Sequence, residues 1–234
     1  MAKMPTLFMV TDIETTYKKR MMFDCAWRTV DRKGKVYAEG SYVIREAFAL
    51  DVPYFKEKLG HYFDDAFAHK IVPASIYEVR EAYNDQIKDF QEKGHRVIPC
   101  AYNAAFDFKY MPETFQQLTG NPDARWLDCK VELLDIWDYW GRSVPKHYKA
   151  EFSASGKFYS TSAESAYRWE FCKSDFVERH IAWHDCVIEA GILQKALARK
   201  KALPVVNKPQ DFRGGIYRHI NTRLGVNGKE LLAA

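Results

Sequence analysis

Four apolar residues, Leu7-Phe8-Met9-Val10, run straight into Thr11-Asp12-Ile13-Glu14 near the start of the chain. This junction limits the fold more than any other feature. The apolar run reads as a buried central strand over Thr6–Val10, and the two acids stand at its end. Residues i and i+2 of a strand point to the same face, so both carboxylates can converge. Acids at the end of a buried strand are a usual place for function in an α/β sheet. The bland alternative is a turn aspartate beside a solvated glutamate.

The rest of the pattern supplies a sheet for that strand. Met21–Val30 and Lys35–Ile44 are β-rich and flank Asp31-Arg32-Lys33-Gly34, a hairpin signal. Residues 54–69 and 74–93 read as helices, the second with Ile76, Val79, Tyr83, Ile87 and Phe90 at helical spacing and Gly94 to end it. Arg96–Ala101 is a strand, 104–119 a helix closed by Gly120, and Trp126–Trp140 a strand followed by a helix. Glu151–Thr161 is a Ser/Gly-rich loop, Ser162–Phe171 a short helix, and Phe176–Lys201 the longest helical candidate. This order predicts an α/β fold, a mixed β-sheet flanked by α-helices. A main domain over 1–203 is followed by a basic C-terminal extension over 204–234, with Arg213, Gly214, Gly215, Arg218 and Arg223.

Composition removes several classes. With 47% apolar and 28% charged residues, the 234-residue chain is neither disordered nor fibrous. Its 35 basic and 31 acidic residues give +4, which permits a polyanionic partner without demanding one. No apolar stretch is long enough to cross a membrane. The first strand meets Asp12 too soon for a signal peptide. Five cysteines without C-x-x-C spacing fit reduced thiols and a cytoplasmic location, and argue against a cysteine zinc site.

Two further segments carry acids. Asp107 follows Tyr102-Asn103-Ala104-Ala105-Phe106 and falls on the first turn of a helix, where the helix dipole also favours an acid. Asp185 closes His180-Ile181-Ala182-Trp183-His184-Asp185 among apolar neighbours, and an inward acid must be paired or bind a cation. Four acids and a histidine thus come from three segments. Hard divalent cations want oxygen ligands. Four carboxylates can hold two such ions about 3.5–4 Å apart, the arrangement of two-metal phosphodiester cleavage.

In these motifs the sequence resembles the DEDDh branch of the DnaQ-like 3′→5′ exonucleases, of ribonuclease H-like fold. The first motif is Thr11-Asp12-Ile13-Glu14-Thr15-Thr16. The second is Asn103-Ala104-Ala105-Phe106-Asp107, followed by Phe108 and Met111. The third is His180-x-Ala182-x-x-Asp185. Leu127-Asp128-Cys129 looks like the segment between the second and third, and the likeness extends over about Leu7–Leu197.

The resemblance implies that Asp12, Glu14, Asp107 and Asp185 ligate two Mg²⁺ or Mn²⁺ ions. It implies that His180 is the general base, a task suited to imidazole near neutral pH. Thr15, Thr16 and Phe106 would line the pocket for the terminal nucleotide, and Asn103 would hold the loop that presents Asp107. The implied reaction releases nucleoside 5′-monophosphates from single-stranded DNA 3′ ends. RNA or oligoribonucleotides, as for ribonuclease T, and small signalling nucleotides are the alternative substrates. A homodimer or a polymerase partner stays open.

Two positions depart from the family pattern. Tyr17, followed by Lys18-Lys19-Arg20, stands where glycine is common, and Tyr102 stands where histidine often precedes the second motif. Tyr17 is therefore expected to reshape the nucleotide pocket, with the basic triplet available to phosphates. Phe23, Trp27, Phe106, Phe108, Tyr110, Trp183 and Tyr17 are candidates for base stacking, although most aromatics belong to a core. One rival reading joins His180, His184 and Cys186 into a zinc site; another is a non-catalytic nucleic-acid-binding module.

Overall fold

The computed structural model describes residues 4–54, 70–145, 159–199 and 202–212, together with 60, 62–64, 68 and 148. Most of the helix expected over 54–69, the loop at 151–158 and the basic segment 213–234 lie outside the described residues. The strands are β1 (Thr6–Thr15), β2 (Met22–Asp31), β3 (Val36–Ile44), β4 (Val72–Ala74), β5 (Arg96–Ala101) and β6 (Leu134–Asp135). The helices are α1 (Arg45–Leu50), α2 (Ile76–Glu92), α3 (Ala104–Thr119), α4 (Ile136–Ser143), α5 (Ala163–Phe171) and α6 (Ala182–Ala198).

The strands form one mixed sheet in the order β4-β3-β2-β1-β5-β6. β1, β2 and β3 are antiparallel neighbours, whereas β5 runs parallel to β1, and β6 to β5. Alternation along β1 divides the core in two. Leu7, Met9 and Ile13 face the cluster that includes Trp27, Tyr83 and Phe115, on the side of α2 and α3. Phe8 and Val10 face the cluster of Ile98, Trp140, Ile192 and Leu193, on the side of α4 and α6.

Several elements start where their local chemistry dictates. Ser75 and Glu78 form a reciprocal capping box at α2, the Ser75 hydroxyl accepting from the Glu78 amide and the Glu78 carboxylate from the Ser75 amide. The β2–β3 turn is closed by Asp31, whose carboxylate accepts from the Lys33 and Lys35 amides at 2.7 and 3.0 Å. Gly34 there has φ 83°, the left-handed conformation that glycine adopts at no steric cost.

Two expectations about element limits are corrected. β1 does not stop at Val10: it pairs with β2 through Thr15, so Asp12 and Glu14 lie within the strand. Its other neighbour, β5, pairs only as far as Val10↔Cys100, which leaves a notch beside the second half of β1. The long helix begins at Ala182 rather than Phe176, because His180 takes a left-handed φ of 54° and Ile181 is extended. Residues 204–212 include Val206, which bridges to Leu133, and Phe212, whose ring stacks on Phe108.

Candidate active site

Asp12 and Glu14 continue the face of β1 begun by Phe8 and Val10. The start of α6 lies over that face, where the Cys186 thiol donates to the carbonyls of Val10 and Ala26. Both acids are therefore held by a strand paired along its whole length, not by a loop.

Asp107 enters from the notch left by β5. Its carboxylate accepts from the Ile13 amide at 3.2 Å, between Asp12 and Glu14. The turn that delivers it depends on Asn103, which caps α3 with φ 66° and ψ 50°. Asparagine is one of the few non-glycine residues that visit this region readily. Its carbonyl accepts from the Phe106 amide at 2.8 Å. Its own amide donates to Asp135 at the end of β6, one cause that lowers the Asp135 pKa.

The third segment is anchored from a strand. Ile181, at the N-cap of α6, provides no side-chain cap. Instead Asp24 of β2 accepts from the Ala182 amide at 3.1 Å, filling the role an N-cap side chain usually fills. Asp24 stands directly across from Glu14 in the β1–β2 register. This contact fixes where α6 starts, and so where His180 and Asp185 sit. His180 Nδ1 lies 3.9 Å from Glu14 Oε1. Glu14, His180 and Asp185 each offer a ligand atom within 4.8 Å of the others.

Burial pushes the carboxyls of Asp12, Glu14, Asp107 and Asp185 well above the usual range. Like charges add to this. Glu189, Asp185, Asp107 and Glu14 all raise Asp12, while Glu178 raises both Glu14 and Asp185. Asp12 Oδ2 is buried with no hydrogen-bond partner among the described residues. A buried group of like-charged carboxylates with one unpartnered oxygen among the described residues fits a hard divalent cation, which wants oxygen donors and negative charge. Asp12, Glu14, Asp107 and Asp185 are the residues that would hold it.

Three acids of this region have no place in the motifs. Asp24, fully buried, is raised to about 7 by desolvation. Glu189, one helical turn beyond Asp185, accepts from the Tyr102 amide at 3.2 Å. Asp135 caps α4 by accepting from the Asp138 amide, and burial raises it to about 6. The i, i+4 spacing of Asp185 and Glu189 was the available signal for Glu189. Asp128 of the Leu127-Asp128-Cys129 segment pairs with Arg80 of α2, and the Asp135 charge also raises Asp107.

The remaining candidates divide by exposure. Thr15 and Thr16 are buried, and the Thr16 hydroxyl accepts from the Met21 amide, closing the turn into β2. Phe106 is half-buried against Tyr110, with ring centroids 4.8 Å apart. Phe23, Trp27 and Phe108 are core residues, while Tyr110 and Trp183 are partly buried. Tyr17 is 57% exposed. The zinc trio is not assembled, because the Cys186 thiol turns into the sheet and His184 Nε2 lies 3.4 Å from Arg179.

No protein-family model and no curated protein matches the chain. Solved structures do. E. coli Exonuclease I in complex with a dT13 oligonucleotide matches with a TM-score of 0.53 and 13% identity, over 83% of this chain and 42% of that one. The same enzyme with a dA16 oligonucleotide gives a TM-score of 0.48 and 15% identity, over 97% of this chain and 45% of that one. The chain thus spans less than half the length of either structure. The first likeness establishes the fold, a ribonuclease H-like mixed sheet flanked by helices.

Proposed function

We propose that the chain is a divalent-cation-dependent 3′→5′ exonuclease of the DEDDh type, releasing nucleoside 5′-monophosphates from single-stranded DNA. One observation carries this reading. Acids from three separated segments converge beside a histidine, around a buried carboxylate oxygen that has no hydrogen-bond partner among the described residues. The fold likeness to an exonuclease crystallised with oligonucleotides supports the same substrate class.

Asp12, Glu14, Asp107 and Asp185 hold two Mg²⁺ or Mn²⁺ ions in this reading. Bound divalent cations supply charge stabilisation at the scissile phosphate. The chain's own residues do the rest. His180 is partly exposed beside Glu14, in reach of both solvent and the carboxylates, and takes a proton from the attacking water. Water forms the new bond to phosphorus, the bond to the 3′ oxygen breaks, and that oxygen leaves with a proton. Asp24 and Asn103 position the His180–Asp185 and Asp107 segments through backbone contacts. Fixing the groups in advance means that no reorganisation opposes the reaction.

The test is a time course with Mg²⁺ on 5′-labelled single-stranded DNA, duplex DNA, single-stranded RNA and a dinucleotide, beside the Asp185→Asn variant. The expected result is a ladder shortening from the 3′ end, fastest on single-stranded DNA and absent in the variant. Faster RNA or dinucleotide cleavage would reassign the substrate. No cleavage of any of them, or equal cleavage by the variant, would remove the reading.

A further inference from the structure

Directly beyond the first motif, the chain builds a lip at its surface. Thr16 bridges to Pro53, the Tyr17 amide donates to the Val52 carbonyl at 2.8 Å, and the Tyr54 amide donates to the Thr15 carbonyl at 3.0 Å. Asp51 clamps the other strand of this lip, accepting from the Lys18 and Lys19 amides at 2.9 Å each. These amides hold its carboxyl below the usual range. Two backbones are thereby locked together within a few residues of Glu14.

The lip presents two rings and three cations. Tyr17 and Tyr54 have centroids 5.8 Å apart at 36°, and they are 57% and 38% exposed. Arg20 lies with its guanidinium 4.5 Å from the Tyr54 ring centroid. It does so from a left-handed backbone, φ 53°, which is costly for a residue without a compensating local role. Lys18 and Lys19 are exposed beside it.

We infer that the Tyr17–Tyr54 pair, flanked by Lys18, Lys19 and Arg20, is a stacking platform for a nucleobase of a single strand whose 3′ end enters the acid site. The claim rests on the proposed function for the position of the scissile phosphate, and deepens it by naming a second contact point. Tyr17 is three residues from Glu14, a reach of roughly 10 Å along an extended chain. That distance suits a base just inside the terminal one rather than the terminal one. Aromatic faces accept any base, and cations draw in phosphates without reading sequence. Charge sign selects the occupant: Arg20 over the Tyr54 ring and exposed Lys18 and Lys19 in the same turn outnumber the one Asp51 carboxylate, which suits a polyanion that carries flat apolar groups. Two tyrosines also fall well short of the roughly 800 Å² per partner that a stable protein interface buries.

The experiment separates this platform from the acid site. Wild-type turnover of the p-nitrophenyl ester of thymidine 5′-monophosphate, which has no second base, reads whether the acid site is active at all. Steady-state cleavage of an octathymidylate is then compared among wild type, Tyr54→Ala, Tyr54→Phe and Tyr17→Ala. In parallel, oligonucleotides with 2-aminopurine at successive positions from the 3′ end report stacking by fluorescence quenching.

The expected result for either alanine variant is a KM roughly tenfold higher on the octamer with kcat within about twofold. The quench at one internal position should disappear, and Tyr54→Phe should restore both. Wild-type KM and quenching in both folded alanine variants would overturn the platform. If wild type cleaves neither the ester nor the octamer, the proposed function fails, and the quench decides the platform alone. Quenching that is lost in Tyr17→Ala keeps it; no quenching in wild type removes it.

Discussion

Asp107 does two things with one carboxylate. It accepts from the Ile13 amide, and it adds a charge to a buried group of like charges. Asp107→Asn keeps an oxygen for the amide and removes the charge. Turnover should fall roughly a thousandfold or more, while the cation-free melting temperature should hold or rise, because a buried repulsion is gone. Paired kinetics and thermal melts check this, and a melting temperature well below wild type would show that the carboxylate serves the fold. Asp24 presents the opposite case. Asp24→Ala leaves the Ala182 amide without its acceptor and should cost about 1 kcal/mol, the usual value of a lost helix cap. Asp24→Asn should recover most of that in urea denaturation. That Asp12, Glu14, Asp107, His180 and Asp185 lie near one another was legible in the sequence because one strand and two helix starts, with His180 just ahead of the second, fix their spacing. Asp24 was not, since a single acid within a β-rich run announces neither a cap nor a partner across the sheet.

At the level of elements, legibility followed periodicity. β5 falls where its apolar run places it, and α3 ends where Gly120 closes it. β1 runs five residues further than its apolar run, because pairing with β2 sustains a strand through polar residues that local pattern reads as an ending. The start of α6 was misplaced because the apolar pattern runs on through Phe176–Ile181, whereas the backbone is broken by a left-handed His180 and the cap comes from β2. The three-residue β4 and six-residue α1 carry too few positions for any period to show. Sheet packing makes its own prediction. Gly40 of β3 lies opposite Trp27, and a Cβ there would collide with the indole ring. Gly40→Ala should destabilise the chain by about 1–3 kcal/mol, as overpacking of a core does; an unchanged urea midpoint would show that Trp27 moves aside freely.

Across the whole molecule, gathering carboxylates in the interior should make stability depend on protons and on divalent cations together. Burial raises Asp24 to about 7 and Asp135 to about 6, above their values in an unfolded chain. The folded state therefore binds more protons than the unfolded one between about pH 4 and 7. The stability these two groups contribute is fully present below that window and is lost as pH rises through it. In EDTA, the melting temperature should fall from pH 5 to pH 8. Mg²⁺ should raise it, and by more at pH 8, where protons no longer compete for the carboxylates. A melting temperature that climbs with pH in EDTA, or an Mg²⁺ shift equal at both values, would contradict this coupling.

The central claim is that residues far apart in the chain form one cation site, with His180 beside it as a base. Manganese binding, followed by electron paramagnetic resonance in wild type, Asp107→Asn and His180→Ala, tests it most directly. Wild type should take up two Mn²⁺ per chain, Asp107→Asn should lose at least one, and His180→Ala should bind as wild type does while its turnover collapses. Undiminished uptake in Asp107→Asn would show that the three segments do not make a common site, and lost uptake in His180→Ala would make the histidine a ligand instead of the base.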